Sequence, residues 1–205
     1  MIALPRVIGP AAALIGLMIV LGACSGAANS VRQQPHSAYA DEPFAVRLVD
    51  RSKFAADLQP VNIASPFNEK PGTIVIDAKH HQLYLMLDGG MARRYGIAVG
   101  QSGKAWQGRA RIGRKAIWPT WYPTDEMRRS AIGLPGSIAP GPANPLGARA
   151  LYLYQDGHDT LYRIHGTSEP WTIGTDASSG CIRMLNEDII ELFDLVSKDA
   201  QVVVY

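Results

Sequence analysis

Apolar residues along this chain fall into short runs with strand character, separated by turn residues. Thr73-Ile-Val-Ile-Asp77 and Gln82-Leu-Tyr-Leu-Met-Leu87 are rich in β-branched and large apolar side chains, and Asp88-Gly89-Gly90 is a tight-turn signal leading into Met91 to Val99. Glycines 100, 103, 108 and 113 punctuate the next stretch, which predicts a returning strand over Arg109 to Ile117. Prolines 119, 123, 135, 140, 142 and 145 then forbid long regular elements between Trp118 and Pro145, so this segment reads as a large surface loop that walls a cleft. Two more strands follow, Arg149 to Tyr154 and Thr160 to Ile164, and the second delivers His165 to a strand end. Past Met184 the period changes. Asn186 reads as an N-cap, with Glu187 and Asp188 in the first turn and Ile189, Ile190, Leu192, Phe193 and Val196 on one helical face. Gln201 to Tyr205 closes as a strand. Many strands against one clear helix predict a mainly β domain.

The N-terminal part carries a different pattern. Arg6 precedes an apolar stretch from Ala11 to Leu21 that is short for a bilayer span, and Leu21-Gly22-Ala23-Cys24 follows it, as in a lipoprotein signal whose cysteine is acylated. Residues 1–24 are accordingly read as an export signal, with Cys24 as the lipidated mature N-terminus and acyl chains as the membrane anchor. Residues 25–43, rich in Ser, Ala, Gln, Asn and Pro, read as a flexible tether. Residues 44–71 form a lead-in of mixed signal, and 72–205 the functional domain.

Composition narrows the function. With 20 Lys+Arg against 18 Asp+Glu there is no electrostatic case for a nucleic-acid partner. The chain has two cysteines, Cys24 and Cys181, so an exported domain without Cys24 carries one thiol and no internal disulfide. Alone, Cys181 reads as an inert core thiol. Its setting argues otherwise: Gly180 leaves the sulfur open to approach, neighbouring N–H groups can converge on an oxyanion, and His165 can take the thiol proton. His80, His81 and His158 sit in turn-like surroundings without metal-ligand spacing, so no metal is expected. Trp118, Trp121, Tyr122 and Trp171 suit either a cleft wall or the core.

His165-Gly166-Thr167 together with Ser178-Ser179-Gly180-Cys181-Ile182-Arg183-Met184 resembles the active-site signature of the L,D-transpeptidase (YkuD-type) catalytic domain. The likeness extends to Asn144-Pro145-Leu146-Gly147-Ala148-Arg149, to the strands from Thr73 to Gly100 and to the helix after Asn186. It implies a β-sandwich or mixed-sheet fold with one helix after the cysteine. By position it also implies Cys181 as nucleophile, His165 as general base, the Gly166 carbonyl as its orienting group, and the main chain of Ser179, Gly180 and Cys181 as oxyanion hole. Thr167, Trp171 and Arg183 are expected to contact substrate, Arg183 with an equal claim to holding the loop. The implied donor is a peptidoglycan stem tetrapeptide, with a diaminopimelate amine, a lysine of a murein-attached lipoprotein, or water as acceptor. No cofactor is implied. The expected location is the periplasm or cell envelope, lipid-anchored, with the outer membrane preferred. Ser179 stands where the family often has His, and Trp106-Gln107-Gly108 replaces a common Thr-Pro-x-Gly turn. Ser179 leaves a second reading open, an anchored peptidoglycan-binding protein without activity, and water as acceptor leaves a third, a cell-wall hydrolase.

Overall fold

A computed structural model describes residues 1–2, 37–101 and 106–205. The chain divides into two units, Met1–Arg32 and Gln33–Tyr205, and the account below concerns the second. The expected signal segment and Cys24 lie outside the described residues.

Among the described residues, nine strands form one mixed sheet: β1 (Val61–Ala64), β2 (Ile74–Asp77), β3 (Gln82–Met86), β4 (Met91–Gly96), β5 (Gly108–Ile117), β6 (Arg149–Gln155), β7 (His158–His165), β8 (Ile182–Arg183) and β9 (Gln201–Val204), in the order β1-β4-β3-β2-β9-β5-β6-β7-β8. The mainly β expectation holds, with all strands in one hydrogen-bonded sheet. Two antiparallel halves, β1 to β4 and β5 to β7, meet at β9, which pairs parallel with β2 and antiparallel with β5. The glycine turn between β3 and β4 forms as expected, Gly89 and Gly90 taking φ of 68° and 71°, where a side chain would be strained.

Alternation puts Ile74 and Ile76 of β2, Leu83 and Leu85 of β3, Ile112 of β5, Leu151 and Leu153 of β6, and Ile164 of β7 into one core. The helix α2 (Asn186–Leu195) closes that core with Ile189 and Leu192. Its C-terminal end is capped from the sheet: the Lys115 ammonium donates to the Phe193 carbonyl at 2.6 Å and the Val196 carbonyl at 2.7 Å. Desolvation there pulls the Lys115 pKa below its usual value.

Residues 37–60 run as a strap against this body. The end of the expected tether is docked: Glu42 accepts two guanidinium bonds from Arg149, one of them at 2.9 Å, and the Trp118 indole N–H at 2.7 Å. Phe44 lies tilted against the Trp118 ring at 5.2 Å, and Val46 joins Trp118, Ala148 and Ile190 in a small cluster. Arg51 makes a bidentate pair with Asp188 at 2.6 and 3.0 Å, and Glu187 accepts the Val49 N–H at 3.2 Å. The acids at the start of α2, expected to serve the helix dipole, thus also fasten the strap.

The proline-rich stretch between Trp118 and Pro145 contains one short helix, α1 (Asp125–Ser130), N-capped by Thr124. Its neck is closed by a bridge between Trp121 and Ile138 and by Asn144, whose buried amide donates to the carbonyls of Pro119, Ile138 and Ala139 while its oxygen accepts the Leu146 N–H. The neck of the loop is therefore fixed.

Candidate active site

The site is built where β7 and β8 run parallel, with Ile164 opposite Ile182 and His165 opposite Arg183. Continued one residue beyond the start of β8, that register sets Cys181 beside Arg163, whose main chain interacts with the thiol. Ile164 and Ile182 face the core, so the period of two puts Arg163, His165, Cys181 and Arg183 together on the other face. His165 and Cys181 are diagonal neighbours, a placement with Cα atoms roughly 7–8 Å apart that long side chains bridge. The charges of Arg163 and Arg183 act on both groups, as this placement requires.

Imidazole Nδ1 of His165 lies 2.6 Å from the Gly166 carbonyl oxygen. A carbonyl can only accept, so Nδ1 carries the hydrogen and Nε2 is left with its lone pair. The ring is 5% exposed, and burial, outweighing that hydrogen bond, drops its pKa from 6.5 to about 4. Cys181 is partly exposed. Desolvation raises its pKa, against the opposing pull of the Arg163 main chain and the Arg163 and Arg183 charges. Both shifts favour a neutral thiol beside a neutral base over a thiolate–imidazolium pair. Alkylation of Cys181 by iodoacetamide is therefore expected to climb about tenfold per pH unit from pH 6 to 9, since only the thiolate reacts. A plateau around neutral pH in the measured rates would show the ion pair instead.

Glycine is required around the histidine. A Cβ on Gly166 would come within 2.2 Å of the Asn186 side-chain oxygen, and so would one on Gly147. Asn186 is the reason for this crowding: its oxygen accepts the Ala148 N–H at 2.9 Å and its amide donates to the Thr167 carbonyl at 2.9 Å. It is the first residue of α2, and the N-cap position belongs to Leu185, which makes no side-chain cap. The N-cap role expected of Asn186 is thus replaced by a crosslink between the Asn144–Arg149 turn and the segment after His165.

The cysteine loop is held by Ser178, which the motif contains but to which sequence reasoning gave no role. Its buried hydroxyl donates to the Cys181 carbonyl at 2.5 Å and accepts the Gly180 N–H at 3.0 Å. The Gly180 N–H, one of the three main-chain donors expected for an oxyanion, is thus spent inside the loop. Gly180 has φ of 134°, so this turn needs glycine. Ser179 is exposed.

Three further residues were expected to touch substrate. Thr167 is 3% exposed and its hydroxyl accepts the Glu169 N–H at 2.9 Å, a turn-forming duty. Arg183 pairs with Glu169 at 2.8 Å and so holds the loop. Trp171, 71% exposed on a short 3-10 turn, lines a cavity of about 80 Å³ with Val49 of the strap, Thr167 and Asn186. Of the other aromatics, Trp118 is core and Tyr122 exposed.

Leu161 was also missed. It takes a left-handed φ of 64° in a bulge of β7 and its carbonyl lies 3.9 Å from Cys181 Sγ. Asp159 and Thr160 pin the bulge by accepting the N–H groups of Leu161 and Tyr162. The Asp-Thr pair, a turn-forming combination, was the only sequence signal for it.

Residues 71–204 match a family described as YkuD, the L,D-transpeptidase catalytic domain. The chain is 34% identical over 145 residues to the probable L,D-transpeptidase ErfK/SrfK of Escherichia coli (strain K12), covering 67% of this chain and 44% of that protein. It is 41% identical over 108 residues to the probable L,D-transpeptidase YbiS of the same strain, covering 49% and 33%. Among solved structures, a Brucella melitensis protein described as a probable carnitine operon oxidoreductase is 47% identical over 72% of this chain and 94% of its own, with a TM-score of 0.51. The chain thus spans less than half the length of the two Escherichia coli relatives. Because the family match runs from just ahead of β2 into β9 and takes in both His165 and Cys181, the chain belongs to the YkuD family of L,D-transpeptidase catalytic domains.

Proposed function

We propose that the protein is a peptidoglycan L,D-transpeptidase working by cysteine acyl transfer. His165 Nε2 takes the Cys181 thiol proton as the sulfur bonds to the carbonyl between diaminopimelate and the terminal D-Ala of a stem tetrapeptide. The main-chain N–H groups of Ser179 and Cys181 receive the oxyanion. The carbon–nitrogen bond breaks, the imidazolium returns its proton to the leaving amine, and D-Ala departs from a thioester. An acceptor amine then attacks the thioester and regenerates the thiol, with Gly166 keeping the ring aligned throughout. The acceptor is a diaminopimelate amine or a lipoprotein lysine. No cofactor enters, because the thioester conserves the acyl bond for the second step.

One observation supports this most: parallel pairing of β7 with β8 puts a partly exposed thiol diagonal to an imidazole whose Nδ1–H is committed to Gly166. The signal at residues 1–24 and acylation of Cys24 would deliver the domain to the envelope, tethered to the membrane that faces its substrate. Incubating the full chain with purified tetrapeptide muropeptides is expected to release D-Ala and yield crosslinked dimers by mass. Binding without D-Ala release would overturn the enzyme reading, and tripeptide as the sole product would make it a carboxypeptidase.

A further inference from the structure

The register that sets His165 diagonal to Cys181 also builds a row across four strands. Arg114 of β5 lies opposite Tyr152 of β6, Tyr152 opposite Arg163 of β7, and Arg163 opposite Cys181 in the extended β8 register. Both arginines sit against the same ring: the Arg114 guanidinium carbon is 4.1 Å from the Tyr152 centroid and that of Arg163 is 4.4 Å. Arg114 also donates to the Tyr152 hydroxyl at 3.1 Å.

The two cations differ in one respect. Arg163 is neutralised by a bidentate pair with Asp159, at 2.9 and 3.0 Å. Arg114 is exposed and pairs with no carboxylate among the described residues, and segments 3–36 and 102–105 contain no Asp or Glu. Of the two cations on this ring, Arg114 is therefore the one left free to meet a carboxylate from outside the chain. The stack fixes the guanidinium plane and leaves its other donors open, which suits a planar acceptor such as a carboxylate.

We propose that Arg114 is a specificity residue that binds a free carboxylate of the donor peptide, upstream of the bond Cys181 attacks. This rests on the donor assigned above. Three strand spacings separate the Arg114 and Cys181 backbones by about 14 Å, and the arginine leans inward over Tyr152. Its carboxylate partner then lies roughly 10 Å from the scissile carbonyl, about three residues along an extended peptide at ~3.3 Å each. The single D-Ala on the leaving side is too short to reach that far, so the partner belongs to the acyl side, and Arg114 selects donors by their charge there.

Binding is measured by calorimetry with Cys181→Ala, which cannot turn over, against two synthetic tetrapeptides, one with the upstream carboxylate free and one with it as carboxamide. The carboxylate peptide is expected to bind about tenfold tighter, and adding Arg114→Gln should erase that difference without weakening the carboxamide peptide. In otherwise native chain, Arg114→Gln should raise KM for D-Ala release from the carboxylate peptide about tenfold, leave kcat, and leave the rate of Cys181 alkylation unchanged. Equal binding of the two peptides, or an Arg114→Gln loss of the same size with both, would overturn the proposal. Discrimination in binding together with no D-Ala release by the native chain would instead sink the transpeptidase reading and leave Arg114 as a carboxylate-binding residue.

Discussion

Cys181→Ala is expected to lower D-Ala release by at least about 10⁴-fold, to background, and to abolish the covalent mass shift that a carbapenem produces on the native chain. The reasoning is local. Ser178 holds this turn through the Cys181 carbonyl and the Gly180 N–H, both main-chain groups, so removing the sulfur leaves the loop standing. Far-UV circular dichroism and the unfolding midpoint should therefore match those of the native chain. His165→Ala should fall almost as far, because the buried neutral ring is the base proposed for the thiol. An adduct that persists in Cys181→Ala would mean that another nucleophile has been overlooked.

Glu42→Ala is expected to cost about 3–5 kcal/mol of unfolding free energy, although Glu42 lies far from the thiol. Its carboxylate serves two buried groups at once, the Arg149 guanidinium and the Trp118 indole N–H, with side chains only 12% and 7% exposed in the Glu42–Arg149 pair. The Arg149 bond holds the Glu42 carboxyl below its ordinary pKa. Truncation leaves the buried Arg149 charge with the Ala148 carbonyl and, at 5.3 Å, the Phe193 ring, but no carboxylate. Glu42→Gln, which keeps an acceptor for Trp118 but loses the charge, should fall between the two in urea unfolding. A change within about 1 kcal/mol for Glu42→Ala would show the strap to be an appendage.

The strap marks the limit of what the linear chain disclosed. Strands were legible because alternation at Ile74 and Ile76 or Leu151 and Leu153 is local and physical, and α2 because its apolar stripe recurs at helical spacing. His165 and Cys181 were legible as a pair through their motif. Residues 37–60 have no period, and their anchors are side-chain pairs such as Glu42 with Arg149, 107 positions apart, and Arg51 with Asp188, 137 apart. Such partners are set by the finished fold. The errors at the site share that cause. Asn186 has every local mark of an N-cap, yet two distant backbone groups claim its amide. Gly180 looks like an oxyanion donor until the Ser178 hydroxyl is seen to hold its N–H. Thr167 follows the histidine of the motif, yet its hydroxyl is taken up by the turn at Glu169.

The central position of β9 governs when this molecule can assemble. Residues 201–204 are made after every other strand of the sheet, yet they are the seam between its halves, touching β2 on one side and β5 on the other. Until they emerge from the ribosome the early hairpins have no template to join the later ones, and the closing contact spans more than a hundred residues of chain. Joining of the two halves is thereby postponed until β9 has been made, and its rate is set by that long-range closure.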